Sequence, residues 1–340
     1  MPNDNARGDF LEALRLSRRL TQMQVAEAIG VSQAALSKAE SGAELDDEKW
    51  VQLADLLGVP VEAFFRVTSS AAPARIFHRK LKSTPKTSLN KIAADLALVR
   101  LRVKNLLGRQ PTTLHRHELE DGFVTPQEVA QRVRDELQLG TDPIDDLVAV
   151  LEDAGAVVLR WPLESIRVDA VASWQEDEIP VILIGEHVPA DRQRFTMAHE
   201  LGHAVMHETE ATPEQEGEAD AFAGEFLLPA ARLLKDWPSL VTFEALMSLK
   251  RKWGLSLSAL IRRGLDAGLL SEADYRTWSI RLSTTGMHRQ EPEPSRRENP
   301  VALASAIQNF LNAGASVEDL ASRAYMYPRE FELTFLQEIS

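Results

Sequence analysis

Apolar positions in this chain follow two regimes. Over residues 8–65 they come in short helical blocks, beginning with Phe10, Leu11, Leu14 and Leu16. The stretch Thr21–Ile29 has Thr21 placed as an N-cap, and Gln24 three residues on completes a capping box. Gly30 ends that helix as a left-handed C-cap would. Ser32 caps a second helix, Gln33–Ser41, closed by Gly42. A further helix, Asp46–Leu57, ends at Gly58 before the turn Pro60–Phe65.

From Thr125 the pattern changes. Pro126–Leu139 and Ile144–Ala154 read as helices, with Gly155 ending the second. The runs Val157–Arg160, Val168–Trp174 and Ile179–Ile184 read as strands. The last two, joined by the acidic turn Gln175–Glu178, are expected to form a hairpin. A helix follows from near Ala190 through Met206, then an acidic helix, Glu214–Leu228, and two helices within Leu246–Leu270. Helices, strands and helix in this order give a mixed α+β domain rather than a doubly wound parallel sheet.

The connecting segments are polar. Residues 67–120 hold a Ser/Ala/Pro linker, a helix near Ser88–Leu107 and the loop GRQPTTLHRHELEDG. That loop's His115, His117 and Glu118 match no helical ligand spacing and read as solvated. Residues 283–299 are Pro-containing, a linker or extended arm. Val301–Leu311, Ser316–Ala324 and Pro328–Gln337 then suggest three short helices, loosely like a second helix-turn-helix, with a small packing module the plainer reading.

Composition narrows the chemistry. Without Cys the chain has no disulfide framework, thiolate metal site or cysteine nucleophile, so any metal is held by His, Asp or Glu. A reducing cytoplasm fits. No apolar run approaches bilayer length, so no membrane partner is expected. A net charge of −13 argues against coating nucleic acid. Against that background, residues 67–110 carry ten Lys/Arg and one acid, Asp95. The strip is either a solvated helix face or a contact for phosphate or an acidic partner.

One short segment carries catalytic chemistry: His199-Glu200-Leu201-Gly202-His203. On a helix, positions i and i+4 share a face, so both imidazoles can converge on one ion. Two imidazoles and a carboxylate suit Zn2+ with an open fourth position. Glu200 projects to the neighbouring face, where it can act as general base and acid. Gly202 leaves room beside the ligands. The metzincin pattern would need Gly at position 206 and His at 209; Met206 and Thr209 stand there. His207 lies one turn too far to join His199 on the same ion and reads as a helix-end residue or one touching a ligand from outside. The downstream acidic helix, Glu214–Leu228, offers a third ligand.

Two resemblances follow from these motifs. TQMQVAEAIGVSQAALSKAESG closely resembles the XRE (Cro/CI-type) helix-turn-helix family over about sixty residues. It implies that Gln33, Ala34, Ser37 and Lys38 face bases or phosphates from the groove-entering helix, and that Gln22 touches a phosphate. Residues 1–66 are net acidic, which does not favour DNA, and a homodimer is the usual remedy for a weak single copy. RFTMAHELGHAVMH followed by EGEADAFAGEFLLP resembles the ImmA/IrrE zinc metallopeptidases, many with an XRE domain in front. That resemblance assigns the third ligand to Glu218, with Glu216 and Glu225 as rivals, and gives Asp220 a hydrogen bond onto a ligand histidine.

The expected fold is multidomain and mainly α with an α+β part. Residues 1–66 are an all-α helix-turn-helix domain and 67–120 a basic linker and helix. Residues 121–282 form a zincin-like α+β domain with a small antiparallel or mixed sheet, 283–299 a linker, and 300–340 a small helical module. The resemblance implies a cytoplasmic zinc-dependent endopeptidase and DNA-binding regulator that cleaves a repressor or antitoxin-like protein, relieving repression. The alternative is a DNA-binding regulator or antitoxin whose zincin-like domain senses a ligand or binds a partner without significant proteolysis.

Overall fold

The computed structural model describes residues 5–72, 84–117, 119, 124–174, 178–207, 212–287 and 290–336. The chain is mainly helical and divides into two compact units. One comprises residues 1–111, 173–181 and 301–340, the other residues 112–172 and 182–300. Of the expected features, Arg75, Arg79, Lys80, Lys82, Glu118, Thr209, Gln337 and the turn residues 175–177 lie outside the described residues.

The first unit opens with α1 (Ala6–Ser17), α2 (Gln22–Ile29), α3 (Gln33–Glu40), α4 (Asp47–Leu57) and α5 (Glu62–Arg66). Their boundaries follow the local chemistry. The Thr21 hydroxyl accepts from the Gln24 amide, while the Gln24 side chain accepts from the Thr21 amide. Gly30 and Gly58 take left-handed φ of 69° and 68°, where a side chain would be strained. Phe10, Leu11, Val25, Leu36, Trp50, Leu53 and Phe64 fill the core.

Next comes α6 (Lys86–Leu107), on which part of the basic strip is buried rather than solvated. Its Ala94, Leu98 and Leu101 enter the same core as α1. Arg100 and Arg102 are buried, and burial pushes Arg102 down to about 10. Glu178 compensates, 3.4 Å from Arg100 Nε and 2.7 Å from Lys104 Nζ. Asp95, also buried, accepts from Lys91 Nζ at 2.6 Å and from the Ser17 hydroxyl at 2.6 Å. Lys91, Arg100 and Lys104 are thus engaged within this unit.

The second unit contains α7 (Pro126–Glu136), α8 (Leu147–Asp153), β1 (Val157–Trp161), β2 (Ala170–Ser173), β3 (Val181–Gly185), α9 (Ala190–Met206), α10 (Pro213–Leu227), α11 (Ala230–Asp236), α12 (Phe243–Trp253), α13 (Leu257–Asp266) and α14 (Glu272–Thr284). The strands form a small mixed sheet in the order β1-β3-β2, so the expected β2–β3 neighbours do pair. All of β3 is buried, which explains its unbroken apolar run. Among the described residues, α11 and α14 are helices that the sequence reading did not separate.

Residues 290–299, read as a linker or arm, are fastened to this unit. Glu291 is buried, accepts from Lys250 Nζ at 2.8 Å and from the Leu257 amide at 2.9 Å. Lys250, itself buried, also donates to Asp191. Glu298 accepts from Arg194 Nε at 2.6 Å and from the Leu147 and Val148 amides at the start of α8. Burial pushes the Glu298 carboxyl up, against the pull of Arg194. Buried carboxylates answered by buried cations and amides are fixed structure, and composition alone disguised them as a linker.

The chain closes with α15 (Ala302–Asn312), α16 (Val317–Arg323) and α17 (Pro328–Phe335). These helices are grouped with the first unit. Tyr325 joins the core, its ring edge-on to Phe10 at 5.7 Å, and its hydroxyl donates to the Arg66 carbonyl at 3.0 Å.

Candidate metal centre and helix-turn-helix surface

Helix α9 buries Met197, Ala198, Leu201 and Val205, a stripe at helical spacing, against α7 and α10. That stripe turns His199 and His203 together toward α10. Helix α10 begins at a capping box, with the Thr212 hydroxyl accepting from the Gln215 amide and the Gln215 side chain accepting from the Thr212 amide. The two helices run antiparallel, since Asp220 meets His199 while Glu216 meets His203. Gly202 is the contact point: a β-carbon there would stand 3.0 Å from the Phe222 ring. The room at Gly202 is therefore filled by α10, and no substrate is needed to explain it.

Donor atoms of His199, His203 and Glu216 all lie within 4.8 Å of one another. The two Nε2 atoms are 3.1 Å apart, and Glu216 oxygens lie 3.2 Å from His203 Nε2 and 3.8 Å from His199 Nε2. Donors on a tetrahedral zinc at 2.0–2.1 Å stand roughly 3.3 Å apart, so this set fits such an ion. Glu216 is buried, which a carboxylate tolerates when it is paired.

Glu218, the ligand implied by the family resemblance, is not in this cluster. Its Oε2 lies 2.9 Å from His207 Nε2 instead. The reason is angular: residues two apart on a helix point to opposite sides, whereas Glu216 and Asp220, four apart, share a face. Asp220 was expected on a ligand histidine, and its Oδ1 lies 2.9 Å from His199 Nδ1. Once Asp220 is set on His199, the i, i+4 rule already points to Glu216. Glu225, the other rival, is buried elsewhere, accepting from Arg263 and from Gln131 Nε2 at 3.0 Å.

Glu200 is buried on α9, one residue on from His199. His207 follows the last turn of α9, with Nδ1 3.0 Å from His203 Nδ1, and burial together with the His203 ring pulls it below the ordinary imidazole range. The His117 amide donates to the Val205 carbonyl at 2.7 Å and its ring lies 3.3 Å from Glu136. That segment is thus less solvated than its composition implied.

In the first unit, Gln33, Ala34 and Lys38 are exposed on α3 and Ser37 is half-buried. Gln22 is tied down, donating to Glu40 at 2.6 Å and accepting from Gln33 Nε2 at 3.3 Å. Glu40 is itself buried against Arg15, at 2.5 and 3.0 Å.

Residues 151–264 match the peptidase family described as the IrrE N-terminal-like domain, and residues 11–64 match the helix-turn-helix family. No curated protein matches the chain. The polypeptide therefore joins a helix-turn-helix domain to an IrrE/ImmA-like peptidase domain: a regulator with a protease-like domain. Among the described residues, no helix is long and apolar enough to cross a membrane.

Proposed function

We propose that this chain is a cytoplasmic zinc-dependent endopeptidase and DNA-binding regulator, with His199, His203 and Glu216 as metal ligands and Glu200 as the general base. The observation carrying this reading is the convergence of those three donor groups beside a buried glutamate one residue from the first histidine. A zinc ion held by these three residues would supply Lewis acidity toward a peptide carbonyl and a bound water. Glu200 takes the proton from the attacking water and delivers it to the departing amine. Asp220, as acceptor for His199 Nδ1, directs the Nε2 lone pair of that ring toward the ion.

The substrate proposed is a repressor or antitoxin-like DNA-binding protein, cut to relieve repression. The helix-turn-helix domain, through Gln22, Gln33, Ala34, Ser37 and Lys38, brings the chain to DNA, and a homodimer would raise its affinity. Metal analysis paired with cleavage of proteins encoded beside this one tests the proposal. Wild type is expected to hold one zinc and to cut; Glu200→Gln keeps the zinc and stops cutting. Wild-type protein without zinc, or undiminished cutting by Glu200→Gln, would sink the mechanism.

A further inference from the structure

The hydrogen bonds around His203 extend beyond the three donor groups. His203 Nε2 faces the other donors, and its Nδ1 lies 3.0 Å from His207 Nδ1. The opposite nitrogen of that second ring, Nε2, lies 2.9 Å from Glu218 Oε2. The His207 side chain is only 5% exposed, while Glu218 is 29% exposed.

One assignment of tautomers satisfies all of these contacts with neutral rings. An ionised carboxylate only accepts, so the His207 nitrogen facing Glu218 must carry the proton. A neutral His207 then has its lone pair on Nδ1, which can only accept. His203 must therefore donate from Nδ1, and its lone pair falls on Nε2. By the same logic Asp220 places the lone pair of His199 on Nε2. Two lone pairs then face one another at 3.1 Å, beside a carboxylate, an arrangement that suits a cation held between them.

We propose that His207 and Glu218 are positioning residues: Glu218 fixes the tautomer of His207, and His207 in turn fixes the tautomer and ring orientation of His203 for metal binding. The two ligand histidines are thus held in different ways. His199 has a carboxylate directly on its Nδ1, whereas His203 is served through an intervening imidazole. Outside partners of ligand histidines raise their basicity and hold the ring in place, and removing one costs about 10- to 100-fold in metal affinity. This inference rests on the zinc reading of the site.

Zn2+ affinity measured by chelator competition on the full chain tests it, together with nitrogen chemical shifts of the imidazoles in the zinc-loaded protein. Wild type is expected to show His203 protonated at Nδ1 with a hydrogen-bonded proton. His207→Phe, close in volume, should weaken zinc about 10- to 100-fold. His207→Asn, whose amide oxygen can replace the Nδ1 acceptor, should recover most of that loss. Glu218→Gln should stay near wild type and Glu218→Ala fall below it, with no further loss when Glu218→Ala is added to His207→Phe. Unfolding of the metal-free variants checks that each still folds. Wild type that takes up no zinc overturns the peptidase reading and this one with it. Wild-type zinc uptake with equal affinity in His207→Phe, or a His203 protonated at Nε2, overturns only the relay.

Discussion

Glu216 Oε1 lies 3.2 Å from His203 Nε2, while Glu218, two residues on, turns away to His207. The relationship separates two carboxylates that sequence spacing leaves equally eligible. It also places them differently: Glu216 stands beside both histidines, whereas Glu218 meets only His207.

The first prediction concerns that inequality. Glu216→Ala should abolish stoichiometric zinc, whereas Glu218→Ala should keep it with an affinity lowered about tenfold. Metal content after dialysis against a weak chelator distinguishes the two. Full zinc in Glu216→Ala, with loss in Glu218→Ala, would return the ligand role to Glu218.

A second prediction addresses Lys250, buried between Asp191 and Glu291. Lys250→Met removes the cation and leaves two carboxylates without it in a buried place. Such changes cost about 3–5 kcal/mol. Chemical denaturation followed in the second unit should show that loss, and Asp191→Asn combined with Glu291→Gln should recover part of it. A single-variant midpoint equal to wild type would mean the triad is far wetter than its burial implies.

The C-terminal helices supply the third. Tyr325→Ala removes a ring from the core that includes Phe10 and Phe64, and loss of a large buried aromatic costs about 3–5 kcal/mol. Tyr325→Phe deletes the hydroxyl's hydrogen bonds, to the Arg66 carbonyl and with the Asn105 side chain, and should cost about 1 kcal/mol. Unfolding should be tracked by a probe in residues 1–66. If Tyr325→Ala leaves that probe unmoved, the C-terminal helices contribute nothing to the helix-turn-helix core.

A fourth prediction is about pH. Hydrogen bonds from the Thr125 amide and hydroxyl hold Glu128 below the usual carboxylate range. A depressed carboxyl stabilises above its unfolded value, and that contribution disappears as pH falls through the lower folded one. Helix α7 should therefore fray at its first turn only under acid conditions below the ordinary Glu range. Thr125→Val removes the hydroxyl and keeps the amide, so it should return Glu128 only part of the way toward that range in an NMR titration; an unshifted Glu128 in the variant would refute the hydroxyl's share of the effect.

Local chemistry determined the helix-turn-helix caps at Thr21, Gly30, Ser32 and Gly58, because those depend on neighbours within a turn. The same holds for His199 and His203 on one face of α9, since four residues make about one turn. Asp220 on His199 came from family likeness and agrees with the geometry. What the tertiary structure alone decided is how helices face one another. Packing of Phe222 against Gly202 sets the rotation of α10, and that rotation brings Glu216 to the histidines and sends Glu218 to His207. Arg100 and Lys104 looked like surface charge, and Glu291 and Glu298 like linker, because their partners lie far along the chain. Tyr325 closes a core begun at Phe10, a contact that neither local periodicity nor composition can announce.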